Sequence, residues 1–323
     1  MGANTKILYN KSRSIRVEIE KISDRPYYSM QYQGDYLFDE YLKQGAGNLL
    51  EYCDFIDKHL ITDQPRNSDP RALGCGAFIA RNPEGDILFA RNMDCECAIP
   101  MRILIKEKDN IHSIAFLSMA ELDWDENTFH TLEEDTKLTL AAPYSPLDGM
   151  NEYGLAVASL TDAGAVYPTQ NKTTLLDLTL PRLILNKAKT VEEALQLAGQ
   201  YNLFYIVAPS HYLIADSTGS SAVIEFVNGR MVTIEKEKEF QVVTNFRLYD
   251  NPDHIGFGKD RYDNLDQELE KRNGIITEKE ALDLLKKNVI PGDEQWSAVY
   301  NLTRRKVLIT FSREYDCIYQ YEL

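Results

Sequence analysis

The stretch "RALGCGAFIARNPEGDILFARNMDCE", residues 71–96, decides how the rest of the chain is read. Two apolar runs, "CGAFIAR" and "DILFARNM", flank Asn82-Pro83-Glu84-Gly85. Proline suits the second position of a turn and glycine its left-handed exit, so the stretch predicts a β-hairpin. If 75–81 pairs with 86–93 across that turn, Cys75 comes within a residue of Arg91 and Asn92, with Asp94 just past the same end. Pairing register, which sets the face of every side chain, is open to one residue. Gly74 and Gly76 remove Cβ crowding on both sides of Cys75 and permit a bend that brings the thiol near the preceding carbonyl. Taken alone, such a cysteine is most simply a small buried hydrophobe, and Arg91 with Asp94 a surface pair at a hairpin end.

Outward from the hairpin, "ITDQPRNSDPRALG" (61–74) reads as an exposed, extended connector that can be cut without opening a core. Before it, residues 1–60 suggest a short strand or two and then helix. "YLFDEYLKQG" stops at Gly45, and "NLLEYCDFIDKHL" places Leu49, Leu50, Cys53, Phe55, Ile56 and Leu60 at helical spacing. After the hairpin come strand-like runs: "MRILIKE", "HSIAFLS", "GLAVASLT", "HYLIADS", "SAVIEFV", "FQVVTNF", "QWSAVYNL" and "KVLITFS". Thr190 with Glu193 and Thr277 with Glu280 predict capping boxes at two helix starts, and Pro181 fits the first turn of a third helix. Strand runs grouped around helices argue for α+β, with sheets covered by helices.

The chain has 323 residues, 44% hydrophobic and 26% charged, enough for a buried core. Its formal charge of -15, from 50 acidic against 35 basic side chains, repels nucleic acid and anionic membrane, so a small molecule or a protein is the expected partner. No run reaches about eighteen apolar residues, the length of a membrane span. The N-terminus has no apolar core before its charges, and Lys6 breaks the myristoylation pattern. A cytoplasmic protein is expected; a secretion signal removed beforehand would leave the same chain. The five cysteines, Cys53, Cys75, Cys95, Cys97 and Cys317, are odd in number and sparse, as in a reducing compartment. Neither they nor the scattered histidines, His59, His112, His130, His211 and His254, make a metal motif, and no cofactor is expected. There is no GxSxG and no Walker A; "GFGK" at 256–259 is a glycine turn.

Cleavage between Gly74 and Cys75 would change the chemistry of the cysteine. Its new α-amine, with an ordinary pKa of about 8, could take the thiol proton, so one residue would supply nucleophile and base without a histidine.

At this point the residues resemble a family: the N-terminal nucleophile hydrolases of the choloylglycine hydrolase and acyl-CoA:6-aminopenicillanate acyltransferase type, with penicillin V acylases and acid-ceramidase relatives. Cys75 followed by "RNMD" is similar to their cysteine with its arginine and aspartate. "DGMNEYGLAVASL" (148–160), "HYLIADSTGSSAVIEF", "VVTNF" (242–246) and "KDRYDNL" (259–265) resemble later segments in order and approximate spacing. The resemblance implies a four-layer αββα sandwich of two antiparallel sheets between helices. It implies a propeptide at 1–74, removed autocatalytically, and a catalytic domain at 75–323. It also implies a cysteine amidase that opens a linear C–N amide through an acyl-thioester on Cys75. Arg91 and Asp94 would hold the thiolate and amine, Asn245 would donate to the oxyanion, and Arg261 would order the site. A propeptide of 74 residues is unlike the bile-salt enzymes and closer to acyltransferase-like members, and residue departures stand out beside it. Thr161 replaces a second oxyanion asparagine, which counts against bile-salt specificity; Gly76 replaces a common Thr or Ser; Ala90 replaces a Gly. Asn151 in "NEYG" is most simply a turn residue and is a lesser substrate candidate. The alternatives are an acyltransferase using the same residues and, from another class, an uncleaved binding protein on the same fold; a homo-oligomer is compatible with all three.

Overall fold

The computed structural model describes residues 5–10, 15–23, 27–60, 73–95, 99–106, 111–119, 135–252, 255–290 and 294–323. Most of the connector at 61–74, together with Cys97, His130 and His254, lies outside the described residues.

Three strands, not one or two, open the chain: β1 (Thr5–Asn10), β2 (Ile15–Lys21) and β3 (Tyr28–Gln33), paired antiparallel. Two helices follow. The first, α1 (Phe38–Gln44), ends at Gly45, whose φ of 69° is in the left-handed region that favours glycine. In α2 (Leu49–His59) the Asn48 side chain caps the first turn, and Tyr52, Phe55 and Ile56 face the core. Leu50, expected on that face, is exposed instead.

The predicted hairpin forms from β4 (Leu73–Arg81) and β5 (Ile87–Cys95). Its connection runs from Asn82 to Asp86, closed by the Asn82 N–H donating to the Asp86 carbonyl at 2.9 Å. That is one residue longer than the four-residue turn the sequence suggested. Arg81 therefore pairs with Ile87, Cys75 with Met93 and Ala77 with Arg91. Opposed residues share a face, so this one-residue difference puts Arg91, rather than Asn92, on the side of Cys75. The ladder continues without a break through Cys75, in place of the bend expected from the flanking glycines. A Cβ on Gly74 would lie 2.0 Å from the Ile290 Cδ1, so a larger residue there would require the tip of the Ile290 side chain to move.

The remaining elements are β6 (Pro100–Ile105), β7 (Ser113–Ser118), β8 (Asp148–Asn151), β9 (Ala156–Thr161), β10 (Thr174–Leu176), α3 (Leu180–Lys187), α4 (Val191–Ala198), β11 (Asn202–Phe204), β12 (Ser210–Ala215), β13 (Ser221–Val227) and β14 (Arg230–Glu235). Then follow β15 (Gln241–Val243), β16 (Asn245–Phe246), β17 (Gly256–Phe257), α5 (Lys259–Glu270), α6 (Glu278–Lys286), β18 (Glu294–Asn301), β19 (Lys306–Phe311) and β20 (Tyr319–Glu322). Pro181 sits in the first turn of α3, as predicted. Thr277 and Glu280 form the full capping box of α6, whereas Thr190 caps α4 but Glu193 reaches back to the Lys189 N–H instead of that of Thr190.

Two large sheets result. The ten-stranded one runs β1-β2-β3-β6-β7-β8-β9-β12-β13-β14 and is antiparallel except where β3 meets β6; the six-stranded one runs β15-β4-β5-β18-β19-β20. Strand alternation then builds a four-layer αββα sandwich. Ala77 and Ile79 of β4 face the interior between the sheets, with Phe116, Ala158, Leu213 and Val223 from the larger sheet. Phe78 and Ala80 face the other way, onto Leu265 and Leu269 of α5 and Leu282 and Leu285 of α6. The outer face of the larger sheet, including Tyr212 and Ile224, is covered by α1–α4. Val17, Met30, Tyr41 and Phe55 belong to that same apolar layer, so the first sixty residues share a core with the rest.

Candidate active site

Cys75 lies near the start of β4, 1% exposed, with polar side chains on its thiol, its N–H and its carbonyl. Arg91, two residues from the cross-strand partner and on the same inner face, brings Nη2 to 3.4 Å from Sγ. The same nitrogen donates to the Ser159 carbonyl at 3.1 Å. Asn245, where the chain leaves the edge strand β15, accepts the Cys75 N–H on Oδ1 at 2.6 Å and donates from Nδ2 to the Thr161 carbonyl at 3.1 Å. Arg261, in the first turn of α5, donates from Nη1 to the Cys75 carbonyl and from Nη2 to Asn245 Oδ1 at 3.0 Å. Gly76 is not required to make room for this arginine: a Cβ there would stand 3.8 Å from Nη1, in ordinary contact.

Asp94 is three residues from Arg91 in an extended strand, and three is odd, so it faces the helical side. It is fully buried and accepts the Ile290 N–H at 3.3 Å, opposite Gly74 in the ladder. The surface-pair reading of Arg91 and Asp94 is therefore excluded: both are buried, and they point to opposite faces of the hairpin. Asp94 stands beside the Gly74 side of the peptide bond, Arg91 beside the thiol.

Arg91 is instead paired with Asp148 at the start of β8, both fully buried. The Asp148 carboxylate also accepts from Trp296 Nε1 at 3.0 Å and from the Tyr300 hydroxyl. Burial alone would lower the guanidinium's pKa, but Asp148 and the Cys75 sulfur outweigh it and hold Arg91 above its ordinary value. Burial, then Asp148, pushes the Tyr300 hydroxyl well above its ordinary range, which keeps it a donor. The result is a chain of contacts from the Asp148 carboxylate through the Arg91 cation to the sulfur. Sequence reasoning missed Asp148; its signal was a carboxylate opening the segment "DGMNEYGLAVASL".

Of the other candidates, Thr161 meets the site through its backbone carbonyl. Asn151 does not meet it: Oδ1 accepts from Tyr153 and Leu155 N–H, and Nδ2 donates to the carbonyls of Leu185 and Ala188, so it holds a turn against α3. Among the described residues no group of three or more His, Cys, Asp or Glu could hold a metal ion, and no helix is long and apolar enough to cross a membrane.

Comparison with known proteins agrees with this architecture. Residues 75–282 match the family described as linear amide C–N hydrolases, choloylglycine hydrolase family. A penicillin V acylase of Pectobacterium atrosepticum is 33% identical over 119 residues, which is 33% of this chain and only 31% of that protein. Among solved structures, a single-residue variant of a conjugated bile acid hydrolase from Clostridium perfringens superposes with a TM-score of 0.57 at 16% identity, covering 77% of this chain and 92% of that one. Penicillin V acylase from Agrobacterium tumefaciens superposes with a TM-score of 0.52 at 18% identity, over 74% of this chain and 83% of that one. At such identities the structures bear on the fold alone.

Proposed function

Since the chain belongs to the choloylglycine hydrolase family of linear amide C–N hydrolases, we propose that it is a self-processing cysteine amidase with Cys75 as nucleophile. The observation that carries this reading is the threefold hold on one buried cysteine: Arg91 at the thiol, Asn245 at the N–H and Arg261 at the carbonyl. A structural cysteine has no use for buried charge at its sulfur.

In processing, the Cys75 sulfur attacks the Gly74 carbonyl carbon. The C–N bond breaks, the peptide nitrogen takes up a proton and becomes the α-amine, and water hydrolyses the thioester to leave a new carboxylate on Gly74. In turnover the α-amine removes the thiol proton and Sγ attacks the substrate amide. The amine leaves with a proton, and water then releases the acid from the acyl-thioester. Arg91, backed by Asp148, stabilises the thiolate. Asn245 Oδ1 still accepts from that nitrogen when it becomes an amine, and its Nδ2 donates to the oxyanion. Arg261 keeps Asn245 and the Cys75 carbonyl in register. Asp94, on the Gly74 side, is placed to receive the new ammonium.

Intact mass of the purified protein tests this reading. Fragments ending at Gly74 and starting at Cys75 are expected, and Cys75→Ala should stay a single chain without amidase activity on simple N-acyl amides. A wild-type single chain that hydrolyses none of them would move the protein to the binding-protein class. An added amine that diverts product from free acid would mark an acyltransferase. Asn245→Ala should lower kcat by about 10²- to 10³-fold, the usual loss for one oxyanion donor; near-wild-type turnover would remove Asn245 from the site.

A further inference from the structure

Asn245 sits in a short segment that two buried side chains hold at either end. His211 of β12 and Glu225 of β13 lie one step beyond the Tyr212–Ile224 pair, on the side that Leu213 and Val223 turn to the interior, and both are fully buried. His211 Nε2 is 2.7 Å from the Thr244 carbonyl oxygen. A carbonyl only accepts, so Nε2 carries a proton. His211 Nδ1 faces Glu225 Oε1 at 3.4 Å. The Glu225 carboxylate in turn accepts the N–H of Leu248 at 2.7 Å and of Tyr249 at 2.8 Å. Between these anchors, Asn245 and Phe246 pair with the two-residue strand β17.

We propose that His211 and Glu225 form a positioning pair that fixes the main chain on both sides of Asn245 and so aims its amide at Cys75; this rests on the role given to Asn245 above. Buried polar side chains are a poor way to gain stability, because apolar ones of similar volume fill the space at lower cost. What they cannot do is bind main-chain groups where the chain leaves the sheet. The Leu248 and Tyr249 N–H groups lie outside the described strands, and the Glu225 carboxylate is what they donate to. The pair acts through Asn245, not on substrate.

The test is a double-mutant cycle with amide hydrogen exchange beside it. His211→Ala and Glu225→Gln should each lower kcat by about 10- to 100-fold, the cost of a catalytic group misplaced by about an ångström, with KM nearly unchanged. His211→Gln, which can still donate to the Thr244 carbonyl, should recover part of the loss. In an Asn245→Ala background the same changes should cost little more, because residues that act as one unit are not additive. Exchange across 244–249 should speed up in both variants whether or not any substrate turns over. Equal losses in the two backgrounds, or unchanged exchange in the folded variants, would overturn the proposal. Faster exchange in a protein whose wild type hydrolyses no amide would leave the clamp standing and remove the amidase reading instead. If His211→Ala does not fold, Glu225→Gln, nearly isosteric, carries the measurement.

Discussion

Arg91 is the residue on which the site turns. A guanidinium with no exposure is tolerable because Asp148 answers it, and Asp148 in turn is satisfied by Trp296 and Tyr300. Removing one partner of such a pair leaves a buried charge unpaired, which costs about 3–5 kcal/mol. Asp148→Asn should lose stability of that order in urea unfolding and lose processing with it. A loss below about 1 kcal/mol, the range of exposed ion pairs, would show that Arg91 is compensated elsewhere. The sequence placed Cys75, Arg91, Asn245 and Arg261 together through an ordered resemblance. Asp148 was missed because nothing local says that a carboxylate on one sheet will meet an arginine on the other.

At the scale of elements, the hairpin is shaped by its connection as much as by its strands. The Asp86 carboxylate accepts from Arg304 Nε at 2.9 Å, Asn301 Nδ2 at 3.0 Å and Asn82 Nδ2 at 3.3 Å, tying the turn to the end of β18. The hydrogen bond from Arg304 leads in holding Asp86 below the usual carboxylate range, over a smaller opposing effect of burial. A carboxyl whose pKa is depressed by folding stabilises the fold above its unfolded value of about 3.9, and that contribution fades as pH falls through the folded pKa. Asp86→Asn should therefore lower Tm at pH 6, with the difference from wild type shrinking as pH drops below 4 (about the unfolded value). A constant difference across that range would assign the effect to lost packing. The turn type was legible in Asn82-Pro83-Glu84-Gly85, but the extra residue was not, because it follows from the Asn82–Asp86 closure and contacts with Asn301 and Arg304 far along the chain.

For the molecule as a whole, the placement of residues 5–60 matters most. Strand β3 lies against β6 in the larger sheet, and Tyr41 and Phe55 pack with Tyr144 in the outer apolar layer. If the chain is cut before Cys75, the piece ahead of it remains bound by a full sheet interface and a shared core. The two fragments should co-elute on size exclusion in native buffer and separate in denaturant; separate elution under native conditions would mean that the first segment leaves after cleavage. Residues 1–60 announced a short strand or two, but not that they extend the ten-stranded sheet, since pairing between β3 and β6 spans the helices and the β4–β5 hairpin.

The sequence by itself determined the parts: alternating runs that must be strands, capped runs that must be helices, and an ordered set of polar residues around one cysteine. Periodicity and capping are local, so the chain declares them within a few residues. Only the tertiary structure decided which side chains meet. The register of β4 on β5 put Arg91 on the thiol's face and Asp94 on the other, and the packing of two sheets brought Asp148 to Arg91. A one-residue shift in pairing inverts every face of a strand, and here it goes with the Asn82–Asp86 closure and with contacts to Asn301 and Arg304 far along the chain, which no strand pattern records.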